Sequence, residues 1–219
     1  MKNRLPFPIL HEDRDVIVID KPAGMLTVHT RLKERFTAEE YLNGYVRKGQ
    51  AKSRRRVFPV HRLDRETSGV MMFAKSEAVA EDFRSRWNEL TQKDYLARVE
   101  GSFDAEEGVF ESYLRDDPRT MKVSSVKDPR FGKLARTLWR RLSEADGSTL
   151  VEVSLKSGRK NQIRVHFSES GHPVVGDVKY GGRSASRLFL HSHRLRFKHP
   201  FSGKWLEFSS EPPADFGFA

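Results

Sequence analysis

Lys93-Asp94-Tyr95-Leu96-Ala97-Arg98-Val99-Glu100-Gly101 sets Tyr95, Ala97 and Val99 two residues apart and ends on a glycine. Side chains alternate faces along a strand, so this spacing predicts a half-buried strand that stops at Gly101. The same alternation recurs at 109–114, 135–142 and 151–155, and 188–197 and 205–208 read as the last strands. Upstream, Asp15-Val16-Ile17-Val18-Ile19-Asp20 and the run 69–75 are short apolar stretches, as in strands buried on both faces. Helix signals are fewer. Thr37-Ala38-Glu39-Glu40 is a capping box that opens a helix over about 38–47. Ser76 caps a helix whose Val79, Phe83, Trp87 and Leu90 form one stripe, the pattern of a core-facing surface. A short helix is expected from Asn161 to Ser170, stopped by Gly171. The polar stretch from Asp116 to Gly132, with Pro118 and Pro129, reads as turns and a loop. Strands outnumber helices and mostly lack helical crossovers, so the expected class is α+β, with a largely antiparallel central sheet and flanking helices and loops.

Composition narrows the function. Forty Lys and Arg against thirty Asp and Glu give a net charge of +10 over 219 residues, a balance that suits a polyanionic partner. The chain has no cysteine, which excludes a disulfide framework, a thiolate metal site and a Cys nucleophile. The longest apolar runs are strand-sized, too short for a membrane span, and the N-terminal ten residues lack a secretory-type core. A reducing, cytoplasmic setting is expected. No phosphate-loop or dinucleotide glycine pattern follows any strand. The segment 47–56 carries Arg47, Lys48, Lys52, Arg54, Arg55 and Arg56 with no acid, as in an exposed, mobile arm that grips phosphates.

Three stretches combine polar chemistry with neighbouring strands. Val60-His61-Arg62-Leu63-Asp64-Arg65-Glu66-Thr67-Ser68-Gly69 holds an aspartate between two arginines just before a buried strand. The Lys93–Gly101 strand carries Tyr95. Gly158-Arg159-Lys160-Asn161-Gln162-Ile163-Arg164-Val165-His166 turns basic residues into a helix start, a place suited to an anion.

These residues resemble the RluA-type family of RNA pseudouridine synthases. The likeness runs from about residue 15 to 215. It rests on Asp20-Lys21-Pro22-Ala23-Gly24, His61-Arg62-Leu63-Asp64 with Thr67-Ser68-Gly69, and Lys93-Asp94-Tyr95. It continues in Gly158-Arg159, Gln162-Ile163-Arg164, Gly171-His172-Pro173, Gly176-Asp177, Tyr180-Gly181, Leu190-His191 and His199-Pro200. The resemblance implies an isomerase that converts uridine in ribosomal or transfer RNA to pseudouridine, without cofactor or metal. It implies Asp64 as the catalytic carboxylate, acting at C1′ or on the 2′ proton. It makes Arg164 the guanidinium that keeps that carboxylate ionised, since an opposite charge within about 4–6 Å counters desolvation. Tyr95 is the active-site tyrosine, stacking on the uracil, and Ile163 covers its other face. Arg62 fills the space of the flipped nucleotide or holds a phosphate, and Lys21, Arg159 and Lys160 grip the RNA backbone.

The chain is expected to be a single catalytic domain over 1–219, at most two sublobes around a central cleft. Its short lead to Lys21 implies no separate N-terminal RNA-binding domain, and a monomer without an obligatory protein partner is expected. Asn161 stands where many relatives carry histidine. His61 reads as a structural hydrogen bonder, and His191 and His193 as a poor metal pair because no carboxylates accompany them. Two alternatives remain beside the isomerase: an RNA-binding protein that kept the fold without the chemistry, and a metal-dependent hydrolase using Asp64 with Glu66.

Overall fold

The structure is a computed structural model that describes residues 5–29, 35–48, 50 and 52–216. The first four residues of the N-terminal stretch, and Gly49 and Ala51 of the basic arm, lie outside the described residues. The chain divides into two compact units, Met1–Thr91 with Ser192–Glu211, and Gln92–His191 with Pro212–Ala219.

The first unit holds β1 (Ile9–Glu12), β2 (Val16–Lys21), α1 (Ala38–Val46), β3 (Phe58–Pro59), β4 (Ser68–Ala74), α2 (Glu77–Ser85) and α3 (Trp87–Leu90). Most of β10 (Leu190–Lys198) and all of β11 (Trp205–Ser209) also belong to it. Its strand order is β1-β2-β4-β10, with β11 on β10 and β3 on β4. β1 runs antiparallel to β2, β2 and β3 to β4, and β10 to β11. The two apolar runs are the central strands: Ile17, Ile19, Met71 and Phe73 on one face, and Val16, Val18, Val70 and Met72 on the other, are wholly buried. The second face packs under α2 through Val79, Ala80 and Phe83, with Leu195 and Phe197 from β10. Each such side chain contributes about 1.5–3 kcal/mol of burial, so Phe83→Ala is the change that would break this layer. Gly69 allows β4 to approach β10: its φ is +112°, and a Cβ there would meet the Ser192 carbonyl oxygen at 2.2 Å.

The caps behave as the sequence predicts, with one difference. Thr37 Oγ1 accepts from the Glu40 amide at 3.1 Å, and Ser76 Oγ accepts from the Val79 amide at 3.3 Å. Glu40 returns its carboxylate to the Phe36 amide at 2.7 Å, one residue earlier than a closed capping box requires. The stripe from Val79 to Leu90 is not one helix. Arg86 leaves helical geometry at φ −120° and ψ 22°, separating α2 from the single turn of α3, while Phe83 and Leu90 stay buried.

The second unit holds β5 (Thr91–Glu100, all but its first residue), β6 (Glu107–Asp117), β7 (Lys122–Val126), β8 (Lys133–Ala145), β9 (Ser148–Leu155) and α4 (Gln162–Glu169). Its order is β5-β9-β8-β6-β7, and all four pairings are antiparallel. The expected α+β class and largely antiparallel pairing hold. The Asp116–Gly132 loop needs correction: β7 lies inside it. That strand buries only Val123 fully, and Ser124 and Ser125 separate it from Val126, so it has no apolar run to announce it; pairing with β6 makes it a strand. α4 packs on β7 and β8, where Val165 joins Leu114, Val123 and Ala135.

Candidate active site

In the first unit, Asp64 lies half-buried on the loop between β3 and β4, flanked by exposed Arg62, Arg65 and Glu66. Its neighbours are pinned. Thr27 Oγ1 donates to the Leu63 carbonyl at 3.0 Å and accepts from the Leu63 amide at 3.2 Å, so one buried hydroxyl serves both backbone groups of the residue before Asp64. The Thr67 amide donates to the Asp64 carbonyl at 3.2 Å, closing a turn, and the Arg65 carbonyl accepts from Gly24 N at 2.8 Å. Lys21 completes the clamp: its Nζ donates to the carbonyls of Pro22, Met25 and Arg65 at 2.9, 2.8 and 3.3 Å. The Asp20–Gly24 segment and Thr27 thus form a cradle for the aspartate loop.

Lys21 corrects an expectation. Its side chain is wholly buried, so it does not reach out to an RNA phosphate; it organises main-chain carbonyls under the loop. His61 is structural: its Nε2 accepts from the Met72 amide at 3.0 Å, and its ring stacks on Trp87 with centroids 4.6 Å apart. Glu66 is exposed on the turn, a poor start for a buried pair of metal-binding carboxylates with Asp64. The charged arm is held in part by its own bonds. Arg47 Nε donates to the Arg55 carbonyl at 3.2 Å, the Val57 amide donates to Asn43 Oδ1 at 2.8 Å, and Arg54, Arg55 and Arg56 are exposed.

In the second unit, Arg164 is buried on the first turn of α4. Asp177 grips it with a fork, Oδ2 on Nε at 2.6 Å and Oδ1 on Nη2 at 2.7 Å, and the Asp177 side chain has no solvent exposure. The guanidinium also lies 5.1 Å from the Tyr180 ring centroid. Gly176 makes the fork possible: its φ is +84°, and a Cβ there would lie 1.8 Å from the Arg187 carbonyl oxygen. Tyr180 Oη accepts from the Val123 amide and from Asn161 Nδ2, both at 2.9 Å. Asn161 adopts φ 52° and ψ 21° just before α4, a left-handed conformation that asparagine tolerates better than most residues. Gln162 is satisfied on both ends. Oε1 accepts from Ser157 Oγ and the Arg159 amide, and Nε2 donates to the Arg136 carbonyl and to Thr137 Oγ1, at 2.8 to 3.1 Å. These bonds fix the turn that delivers Ile163 and Arg164.

Tyr95 is buried on β5 opposite Val153 of β9, and Ile163 is buried on α4. Lys93 shares a strand face with Tyr95 two residues before it; burial, with Lys156 nearby, pushes its ammonium down to about 8. Arg159 is exposed, its Nε on the Leu134 carbonyl at 3.0 Å. Lys160 is half-exposed and holds both Asp116 oxygens at 2.9 and 2.8 Å. His166 is buried between Thr137 Oγ1 at 2.8 Å and Ser112 Oγ at 3.0 Å, and burial holds its imidazole below the usual range despite Glu169.

Sequence reasoning assigned no role to Thr27 or Asp177. Thr27 gives no signal, because its value lies in contacts with a segment far along the chain. Asp177 carries one in the Gly176-Asp177 pair. Among the described residues, the one group that converges like metal ligands is Asp13, Asp15 and His199 in the first unit. His199 Nδ1 accepts from the Phe201 and Ser202 amides at 3.4 and 3.2 Å, so Nε2 bears the ring proton and donates to Asp13 at 3.2 Å. That tautomer closes the group as a hydrogen-bonded turn.

The chain is similar to known proteins in sequence and in fold. Residues 15–169 match the family described as RNA pseudouridylate synthase. An uncharacterized RNA pseudouridine synthase of Bacillus subtilis is 33% identical over 94% of this chain and 69% of its own length. Ribosomal large subunit pseudouridine synthase C of Vibrio cholerae is 36% identical over 91% of this chain, which spans 64% of that protein. A solved structure, human RNA Pseudouridylate Synthase Domain Containing 4, superposes with a TM-score of 0.78 at 23% identity, over 95% of this chain and 89% of the other, a likeness of fold. The chain thus spans about two thirds of the length of these curated relatives.

Proposed function

Because the chain belongs to the RNA pseudouridylate synthase family, we propose that it isomerises uridine in RNA to pseudouridine, with Asp64 as the catalytic carboxylate. The N1–C1′ bond breaks, the uracil turns, and a C5–C1′ bond forms; C5 loses a proton and N1 gains one. The change is redox-neutral. The carboxylate serves either by attacking C1′ or by taking the 2′ proton. Arg164, whose Nε and Nη2 are held by Asp177, is the cation assigned to the chemistry of that carboxylate. Tyr95 stacks on the uracil and Ile163 covers it, while exposed Arg62 fills the space of the extruded nucleotide or holds its phosphate. Arg159, Lys160 and the arm of Arg54, Arg55 and Arg56 meet the RNA backbone. Relatives named ribosomal large subunit pseudouridine synthases favour large-subunit ribosomal RNA over transfer RNA as substrate.

The observation that carries this reading is the cradle around Asp64. A carboxylate at a surface turn has no need of a buried lysine and a buried threonine fixing the residues on both sides of it. Asp64→Asn is expected to keep RNA binding and abolish product, measured by carbodiimide mapping of pseudouridine in ribosomal and transfer RNA transcripts. Turnover at the full rate in that variant would remove Asp64 from the chemistry, whereas RNA binding without product in the unaltered chain would leave a binding protein with the same fold. Arg164→Gln is likewise expected to keep RNA binding and lose product formation; a wild-type rate in that variant would remove Arg164 from the chemistry. Neutralising Arg54, Arg55 and Arg56 should weaken binding and flatten its salt dependence, by about 0.7 in slope for each single-strand phosphate that is no longer neutralised.

A further inference from the structure

A pocket of about 500 Å³ opens within the second unit, at the end of β6 and the start of β8. Arg115, Arg130, Lys133, Arg159 and Lys160 line it, with one acid, Asp116. Two of these cations are already matched, Lys160 by Asp116 and Arg130 by Asp128. Arg115 interacts with the Asp117 carboxylate, whereas Lys133 and Arg159 form no ion pair among the described residues, so the pocket keeps a net positive charge. Phe131 also lines it and is 60% exposed, a large ring that the core does not use.

The backbone that carries the ring is held on both sides. Phe131 ends the short turn Pro129–Phe131, which Asp128 caps by accepting from the Arg130 amide at 2.9 Å. The next residue, Gly132, presses against the β6–β7 pair: a Cβ there would lie 2.7 Å from Val126 Cγ2 and 2.8 Å from Tyr113 Cβ. An exposed aromatic face beside a cluster of cations has the parts of a single-strand nucleotide site: charge for the phosphates and a π-face for a base. An acidic peptide would satisfy the charge but would not need the ring.

We propose that this pocket binds one unpaired nucleotide of the RNA substrate apart from the target uridine, its phosphates on Arg115, Lys133 and Arg159 and its base stacked on Phe131. The inference rests on the reading that the chain acts on RNA and adds a second nucleotide subsite to it. The full chain is titrated by fluorescence anisotropy with a labelled oligouridylate and with an abasic oligomer of equal length. Phe131→Ala should weaken oligouridylate binding roughly 5- to 30-fold and leave the abasic oligomer unchanged, whereas Phe131→Trp restores it. Arg115→Ala with Lys133→Ala should weaken both oligomers and lower the salt slope by about 1.4. An unchanged affinity in Phe131→Ala, an equal loss for both oligomers, or displacement of oligouridylate by polyglutamate at equal concentration would overturn the assignment. The readout is binding alone. If Asp64→Asn still makes product, the catalytic reading fails while this result stands; if Asp64→Asn is inert and Phe131→Ala binds normally, only the pocket fails.

Discussion

The two units support their key side chains by different means. In the first, the loop of Asp64 is held through its main chain: Thr27 takes both backbone groups of Leu63, and the Lys21 ammonium gathers three carbonyls. In the second, Arg164 is held through its side chain by a buried carboxylate, Asp177. Main-chain support spreads the load over several bonds of about 1 kcal/mol each, while a buried ion pair concentrates it in one contact whose removal strands a charge. The first arrangement should degrade by steps and the second should fail at once.

The sharpest way to break that contrast is Asp177→Ala. It leaves the Arg164 guanidinium buried without its fork and is expected to cost about 3–5 kcal/mol in a denaturant melt, with loss of product formation. A cost below about 1 kcal/mol would show that the pair carries no such load. Lys93 sharpens the contrast from the other side, as a buried ammonium of the second unit. Its folded value is about 8 against an ordinary 10.5, so between these pH values the unfolded chain binds the extra proton. Stability should therefore rise from pH 8 to 10.5, by about 3 kcal/mol in this group's contribution, and Lys93→Met should remove that rise when the two proteins' melts are compared. An identical pH profile in the variant would mean that the ammonium is better solvated than its 5% residue exposure indicates. The smallest effect is expected in the first unit. Thr27→Val keeps the shape but leaves the Leu63 amide and carbonyl without the hydroxyl, at a cost of about 1–3 kcal/mol and a reduced kcat. A loss as large as that of Asp177→Ala would erase the distinction between the units.

Legibility in the sequence follows the same divide. β2 and β4 announce themselves as apolar runs because both faces are buried, and α1 and α2 are marked by Thr37 and Ser76 at their starts. β7 is not legible in the sequence because pairing, not side-chain pattern, makes it a strand. The sequence around Lys21 suggests a phosphate ligand rather than a buried support, because a lysine's burial is set by distant carbonyls, here including Arg65 forty-four residues away. Asp64, Arg164 and Tyr95 stand out through motifs with roles attached; Asp177 sits in the Gly176-Asp177 motif without a role, and Thr27 carries no signal.

The sequence by itself determined the strand-rich class, the helix starts, the positive charge and the residues with the right chemistry, because each is written in local spacing or in residue type. Only the tertiary structure decided that Lys21 is a buried support, that Asp177 rather than a surface acid grips Arg164, and that Phe131 faces a basic pocket. Those outcomes depend on which distant groups share a buried neighbourhood, where unmet hydrogen bonds and unpaired charges are most costly, and no local pattern along the chain encodes that.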